Sequence, residues 1–330
     1  MNEAPIFSSS PAMRRVLEDV SVAAGIRANV VICGEPGTGR ELVAREIHRR
    51  SERADRPFVR VAYAVESSDT FELELFGQAA RTGERERRAT ERIGRCGHLY
   101  EALGGTVFFA NLPEVPPRTQ ARLARLFRDG EAVQGKNRIN LTVRVMAAVE
   151  QGYAGRVKGG RLHEDLVRAI SELHIDVPPL RQRGEDIPAL AAMFLADACL
   201  HKGVPPKQLT SAAQQILSAL PWHGNALELQ RLLADLVQRV QGGVIDLTDV
   251  LATVQIDGRA KPFAKGGTLR EARARFEREY IAAVMTQHHG RIPEAAKTLG
   301  VQRPNLYRKL RRLNVPKAVP KKQRRSTVLD

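Results

Sequence analysis

The sequence has few cysteines and no long apolar run. Its three cysteines, Cys33, Cys96 and Cys199, are far apart and odd in number, so they predict neither a disulfide framework nor a zinc site. No apolar stretch approaches the roughly 20 residues of a membrane helix, and the start MNEAPIFSSS does not resemble a signal peptide. We therefore expect a cytoplasmic location, no metal site and no membrane partner.

Positive charge is abundant but unevenly placed. The 330 residues carry a formal charge of +15, and residues 261–330 hold 18 Lys plus Arg against 5 Asp plus Glu, a net of +13, which leaves +2 for the rest. Hydrophobic residues make up 43% of the chain and charged residues 27%, as in an ordinary globular protein. A basic terminal part indicates a polyanionic partner, most often nucleic acid, although a solubilising tail has the same composition.

Apolar periodicity predicts an α/β region followed by helices. Up to about Val177, short apolar runs alternate with amphipathic helices, which is typical of a mainly parallel sheet. The predicted strands are residues 29–33, 57–61, 106–109, 141–148 and 174–177. Residues 81–95, dense in both charge signs, are interpreted as a solvated segment. A helical pattern then takes over, with a capping box predicted at Ser211 and Gln214.

These patterns divide the chain into five parts. We expect an α/β subdomain over residues 1–178, a helical subdomain over 179–255 and a linker over 256–267. A second helical unit is expected over 268–315, and a basic, disordered tail over 316–330.

A glycine-rich stretch after the first strand has the spacing of a phosphate-binding loop. Glycines there let backbone N–H groups surround a phosphate at a helix N-terminus. Arg40 stands where a Lys normally reaches the outer phosphates, and its planar group is aimed differently. A purely structural turn is the alternative. The candidate binding residues are Gly34, Glu35, Pro36, Gly37, Thr38, Gly39, Arg40 and Glu41.

The segment 104–116, GGTVFFANLPEVP, contains a strand without the expected acidic end. In nucleotide-hydrolysing α/β domains such a strand ends in carboxylates that hold the metal and the attacking water. Here it ends in Ala110 and Asn111. The sequence therefore predicts a strand retained for the fold without its chemistry.

The second helical unit has the pattern of a helix-turn-helix. A long apolar stripe, Leu269 to Val284, precedes Ala295, Ala296 and Leu299 on a first helix, with Gly300 at the turn. Leu306, Leu310 and Leu313 form the buried side of the second helix. Amide and cationic groups on its other side suit base edges and phosphates, although a basic solvated helix is the alternative. The candidate DNA-binding residues are Gln302, Arg303, Asn305, Arg308, Lys309 and Arg312.

The ordered motifs resemble sigma-54-dependent enhancer-binding activators. They are SSSPAMRRVL, GEPGTGRELVAREIHRRS, PFVRVA, ELFG, GGTVFF, VRVMAA, VPPLRQRGEDI and WHGN, followed by the basic C-terminal unit. The resemblance implies an AAA+ α/β domain with a helical lid, ring assembly, and a Fis-type helix-turn-helix that dimerises through its long helix on promoter DNA. It also implies a bacterial, nucleoid-associated protein, here without an N-terminal sensory domain.

The chain departs from this family at most catalytic positions. The family's acidic pair falls on Ala110 and Asn111, and the residues that sense the γ-phosphate fall on Val149 and Glu150. The arginine fingers fall on His163 and Ala169, with Arg168 one residue out of register. The lid arginine falls on Leu227, and the sigma-54-contacting GAFTGA loop is missing after ELFG.

These departures favour a sequence-specific DNA-binding transcription regulator that does not hydrolyse ATP. Binding of ATP or ADP without hydrolysis is compatible with the surviving loop amides. The expected partners are double-stranded DNA with an inverted repeat, a second copy in a homodimer or higher oligomer, and RNA polymerase or a related enhancer-binding protein. The alternatives are an active ATP-dependent sigma-54 activator and an interaction subunit that modulates a competent relative.

Overall fold

The protein divides into two compact units, Met1–Gln255 and Ile256–Asp330. The computed structural model describes residues 6, 9–63, 67–78, 90–159, 161–254, 278, 281, 285, 291–298 and 303–312. The predicted linker, the predicted tail and the named residues of the apolar stripe lie outside the described residues. The domain bounds given above stay predictions.

The first unit is built on a five-stranded parallel sheet, which confirms the predicted fold class. The spatial order of the strands is β2-β3-β6-β1-β7. Three of them, β1, β3 and β6, are buried along their whole length, as expected when helices cover both faces of a parallel sheet. The strands are β1 (Val30–Cys33), β2 (Phe58–Val61), β3 (Thr106–Phe109), β6 (Arg144–Val149) and β7 (Leu173–Asp176).

Helices cover both faces of the sheet. One core cluster joins the sheet to α1 and α2 through residues such as Val20 and Ile47, and another joins it to later helices through Leu75, Leu123 and Leu166. The helices are α1 (Pro11–Gly25), α2 (Arg40–Arg50), α3 (Ser68–Phe76), α4 (His98–Glu101), α5 (Pro117–Asp129), α6 (Tyr153–Lys158) and α7 (Glu164–Ile170). No helix within the described part of the chain could cross a lipid bilayer.

Two features of this unit differ from the sequence predictions. An antiparallel hairpin, β4 (Glu131–Gln134) and β5 (Asn137–Asn140), precedes β6, so the strand predicted over 141–148 begins only at Arg144. The interpretation of 81–95 as solvated is wrong for its described part, because Ile93 is 1% exposed. Ile93 packs in the core, and neighbouring Arg92 pairs with Val133 of the hairpin.

The helical subdomain after the sheet, called the lid below, consists of four helices around a leucine-rich core. The predicted capping box at Ser211 and Gln214 is wrong, because Thr210 is the N-cap and its hydroxyl accepts from the amide of Ala213 at 3.2 Å. A short parallel pair, β8 (Gln208–Leu209) and β9 (Val244–Ile245), was also not predicted. The helices are α8 (Ile187–Lys202), α9 (Ser211–Ala219), α10 (Asn225–Arg239) and α11 (Leu247–Thr253).

The second unit contains α12 (Ile292–Thr298) and α13 (Arg303–Arg312). Apolar residues of both helices meet in a small core that also includes Ile281 and Met285. Four of the predicted core residues are buried there: Ala295, Ala296, Leu306 and Leu310. Leu299 and Leu313, also predicted for this core, lie outside the described residues.

Candidate nucleotide site and nucleic-acid interface

The glycine-rich loop between β1 and α2 has the backbone shape of a phosphate loop. Gly37 and Gly39 have φ values of 79° and 97°, which favour glycine, and Gly39 is the N-cap of α2. The hydroxyl of Thr38 donates to the carbonyl of Glu35 at 2.8 Å and closes the turn from inside. The loop is therefore a specific structure at a helix N-terminus, where amides and the helix dipole favour an anion.

Arg40 is turned against the backbone. Its Nη1 donates to the carbonyl oxygens of Gly34 at 3.0 Å and Val149 at 2.9 Å. Burial lowers the pKa of Arg40, and the negative charge of Glu150 opposes part of this shift. The side chain thus joins the loop to the end of β6.

The lid packs directly on the tip of the loop. The amide of Ala226 donates to the carbonyl of Gly37 at 3.0 Å. A β-carbon on Gly37 would overlap the carbonyl oxygen of Gly224 and approach the β-carbon of Leu227 to 3.1 Å. Leu227, the position that the sequence comparison predicted to match the family's lid arginine, is 43% exposed beside this contact. Glycine at position 37 is therefore required both by its backbone angle and by the closeness of the lid.

Glu35 connects the loop to the lid through its carboxylate. Arg181 donates to it twice, from Nη1 at 2.8 Å and from Nη2 at 2.6 Å, and Nδ2 of Asn225 donates at 3.1 Å. The bonds from Arg181 are the main reason that the pKa of Glu35 falls to about 2.

Asn225 is the buried centre of this contact. It has a φ of 56°, and its Oδ1 accepts from the amide of Leu180 while its Nδ2 also reaches the carbonyl of Pro36. Arg183 adds a bond of 2.7 Å to the carbonyl of Thr38. The sequence motifs that contain Arg181, Arg183 and Asn225 did not predict that these residues join the loop to the lid. An asparagine after glycine at a helix start was a usable signal for a left-handed residue.

The ends of β3 and β6 offer few groups to a metal ion. Ala110 packs against the apolar cluster beneath α1 and α2, and Oδ1 of Asn111 is buried without a hydrogen-bond partner. Val149, the last residue of β6, is buried, and Glu150 follows directly after the strand. Among the described residues no group of three or more His, Cys, Asp or Glu side chains could hold a metal ion. These residues do not fit a carboxylate-held Mg²⁺.

The positions predicted to match the family's arginine fingers lie on and before α7. His163 is the N-cap of α7, and its amide donates to Oε1 of Gln120 at 2.7 Å, while its Nδ1 is buried without a partner. Ala169 packs against the core. Arg168 is exposed and donates to Glu164 at 2.9 Å. No guanidinium stands at either of the two matched positions.

The helix α13 exposes a polar and basic side. Arg303, Asn305 and Arg308 are exposed, Lys309 is half-buried, and Leu306 and Leu310 lie in the core. Gln302 and the side chain of Arg312 lie outside the described residues. Arg311 is exposed as well and was not among the predicted residues. The helix therefore presents amide and cationic groups away from its apolar anchor.

Comparison with known proteins covers nearly the whole chain. Residues 6–176 match the family described as Sigma-54 interaction domain, residues 181–264 match the AAA+ ATPase lid domain, and residues 272–313 match Bacterial regulatory protein, Fis family. The fold and the site thus define an AAA+ domain with its lid, joined to a Fis-type helix-turn-helix. The chain belongs to the family of DNA-binding, sigma-54-dependent transcriptional regulators.

Several individual proteins are also similar to this chain over nearly its whole length. The chain is 34% identical to the DNA-binding transcriptional regulator NtrC of Klebsiella pneumoniae over 338 residues, which covers 94% of this chain and 71% of that protein. It is 34% identical to the transcriptional regulatory protein ZraR of Escherichia coli K12, with coverages of 93% and 68%. The crystal structure of NtrX from Brucella abortus in complex with ADP is similar with a TM-score of 0.65 at 30% identity, covering 94% of this chain and 69% of that one. A second NtrX structure, in complex with ATP, has a TM-score of 0.64 at 31% identity, covering 94% of this chain and 70% of that one.

Proposed function

We propose that this protein regulates transcription by binding specific DNA, and that its AAA+ domain serves assembly without hydrolysing ATP. The observation that carries the proposal is the end of β3, where Ala110 and Asn111 replace the acidic pair. A metal-bound nucleotide needs carboxylates that hold the ion, and a hydrolytic water needs a group that positions it. Neither residue has a carboxylate.

Other positions favour the same conclusion. Transition-state charge in such enzymes is stabilised by an arginine, which contributes about 10³ to 10⁵ in rate. His163 and Ala169 carry no guanidinium, and Leu227 offers only an apolar side chain from the lid. Arg40 is engaged with the carbonyls of Gly34 and Val149.

The contacts around Glu35 support an assembly role. Arg181, Arg183 and Asn225 join the loop to the lid with protein groups alone. These direct contacts support a fixed arrangement of sheet and lid. The NtrX structures in complex with ATP and ADP support retention of nucleotide binding here, with the glycine-rich loop as the binding element and no hydrolysis.

The helix α13 supports DNA binding by a dimer. Arg303 and Asn305, near its start, are the proposed base-reading residues, and Arg308, Lys309 and Arg312 are the proposed phosphate contacts. A two-fold dimer would present two such helices to an inverted repeat. A location at the nucleoid of a bacterial cell follows from this proposal, and RNA polymerase is a proposed partner.

A second candidate function is that of an interaction subunit. A fold that keeps its core while losing its catalytic residues can join a ring of a competent relative and alter its activity. The contacts between the glycine-rich loop and the lid support this second candidate as well as they support the first. Size analysis of the full chain, alone and mixed with such a relative, separates a self-assembling regulator from a mixed ring.

The proposal is tested by promoter opening. Genomic occupancy mapping first identifies sites bound by the full chain, and permanganate footprinting then follows opening of a sigma-54 promoter linked to such a site. We expect occupancy without opening, both for the native chain and for the double variant Ala110→Asp, Asn111→Glu, because the loop after Gly77 lacks GAFTGA. Opening by the native chain would contradict the proposal, and opening by the double variant alone would contradict the loop argument.

A further inference from the structure

A pocket lined by three arginines lies at the end of the sheet away from the phosphate loop. It is open to solvent, and its charged residues are Arg27, Glu52, Arg53 and Arg144. Arg27 precedes β1 and the phosphate loop follows it, so the four residues of the strand separate the two sites. At about 3.3 Å per residue this is roughly 13 Å, more than the screening length at physiological salt.

The two inner arginines are held by backbone carbonyls. Arg144 is 2% exposed, with its Nε donating to Ala28 at 3.0 Å and its Nη2 to Ala23 at 2.7 Å. Arg53 donates from Nη1 to the carbonyls of Gly105 and Thr142. Among the described residues, Nη1 of Arg144 and Nη2 of Arg53 have no carbonyl or carboxylate partner. Each guanidinium therefore keeps donors that are not used by the protein.

One carbonyl at each of the two nearby helix ends is already hydrogen-bonded. Such ends carry partial negative charge. At the end of α1 the carbonyl of Ala23 is bound by Arg144, and at the end of α2 the carbonyl of His48 accepts from both the amide and the hydroxyl of Ser51. These bonds reduce the partial negative charge that an anion in the pocket would meet.

Positive charge exceeds negative charge in this pocket. Within the lining, Arg27, Arg53 and Arg144 stand against Glu52, a sum of +2, and the carboxylate of Glu172 outside the lining also acts on Arg144 and raises its pKa. The mutual repulsion is seen in the pKa values: after burial, the charge of Arg27 lowers the pKa of Arg53, and that of Arg53 helps to lower the pKa of Arg144 to about 10. A small ligand with two negative charges would balance the site.

The ion pair between Arg27 and Glu52, at the mouth of the pocket, is easily rearranged. Arg27 and Glu52 form an ion pair of 2.8 Å, with 82% and 71% of their side chains exposed. Such exposed pairs contribute little to stability. Arg27 can therefore leave Glu52 for a ligand at little cost.

We propose that this pocket binds a small dianionic oxyanion of the phosphate class, held by Arg53 and Arg144 with Arg27 closing over it. The chemistry is that of guanidinium groups donating to phosphate oxygens. The ligand class is a free phosphate or a phosphomonoester, and a singly charged phosphodiester is the weaker ligand.

The test uses the full chain, inorganic phosphate at pH 7.5 and isothermal titration calorimetry. Glu52→Gln removes the competing carboxylate and should tighten binding about fivefold, whereas Arg27→Gln should weaken it by a similar factor. The matched control is the ion pair of Arg168 and Glu164, at 2.9 Å with both side chains 72% exposed. Arg168→Gln and Glu164→Gln should leave phosphate binding unchanged, and melting curves check that all variants fold.

The site is supported if Glu52→Gln tightens phosphate binding and Arg27→Gln weakens it, while the two control variants leave it unchanged. The proposal is overturned if phosphate shows no binding at millimolar concentration, or if neither pocket variant changes the affinity, since binding then lies elsewhere, for example at the phosphate loop. Dimethyl phosphate serves as the monoanionic probe. Equal affinity for it would overturn the assignment to a dianion.

Discussion

Glu35 and Arg181 are 146 positions apart in the sequence and form a two-bond ion pair, with Nη2 of Arg181 2.6 Å from Oε1 of Glu35. The first residue belongs to the phosphate loop and the second to the segment that enters the lid. Their contact explains how the loop keeps a fixed relation to the lid.

The ion pair of Glu35 predicts a pH-dependent stability. The pKa of Glu35 is lowered from 4.5 to about 2, mainly by hydrogen bonds from Arg181. A lowered pKa means that the contribution is complete above about pH 4.5 and is lost as the pH falls towards 2. We expect Glu35→Gln to be about 1 kcal/mol less stable than the native chain at pH 7, with the difference vanishing near pH 2. Urea unfolding at several pH values measures this, and a difference independent of pH would contradict it.

Gly37 predicts a steric requirement at the junction of loop and lid. Gly37→Ala places a methyl group against the carbonyl of Gly224 in addition to the strain of a positive φ. Gly104→Ala is the matched control, because Gly104 has a φ of 77° and a β-carbon added there would meet no atom within 4 Å. The control should cost about 1 to 2 kcal/mol, and Gly37→Ala at least about 1 kcal/mol more. Equal losses in thermal unfolding would show that the lid does not press on this residue.

Arg122 predicts a large loss of stability. Its side chain is 8% exposed, donates to Glu72 at 2.8 Å and Glu91 at 3.1 Å, and lies 3.7 Å above the ring of Phe76. Glu72 lies on α3 and Glu91 lies two residues before the core residue Ile93, so the network joins these two parts of the chain to α5. Arg122→Met removes the cation that pairs with the buried carboxylate of Glu72, whereas Glu91 keeps its pair with Arg125. Loss of the buried partner of Glu72 should cost about 3 to 5 kcal/mol.

The control for this change lies on the same helix. Arg128 pairs with Asp129 and its side chain is 62% exposed, so Arg128→Met should change stability by about 0.5 kcal/mol or less. Denaturant unfolding compares the two variants. A loss for Arg122→Met as small as that for Arg128→Met would show that the buried network is energetically minor.

The proposed DNA contacts predict two different phenotypes on α13. Arg303→Ala should lower discrimination between specific and random DNA by about 1 to 3 kcal/mol, because it removes a base contact. Lys309→Ala should weaken binding to all sequences alike and reduce the salt dependence by about 0.9 log unit. Footprinting and salt titration of the full chain measure both. Equal loss of specific and non-specific binding in both variants would contradict this division of roles.

The sequence predicted those parts of the fold that depend on local patterns. The strand Thr106–Phe109 was predicted with its observed bounds, because a short run of β-branched and aromatic residues between turns strongly favours a buried strand. The hairpin β4–β5 was missed, since most of its residues are polar or partly exposed. Gly135, with a φ of 60° between Gln134 and Lys136, was its available signal.

The candidate site was only partly predictable. The glycine-rich loop and the altered residues Ala110 and Asn111 are read from short motifs. The position of the Arg40 guanidinium and the contacts of Asn225 depend on chain segments that meet only after folding, about 100 or more residues apart. No local periodicity encodes such pairs.

The central claim is that the AAA+ domain does not hydrolyse ATP, and a steady-state ATPase assay of the purified full chain with Mg²⁺ tests it most directly. We predict no turnover above background, in the presence or absence of DNA, and no change in Arg40→Ala. A steady release of phosphate by the native chain that is abolished by Arg40→Ala would contradict the account.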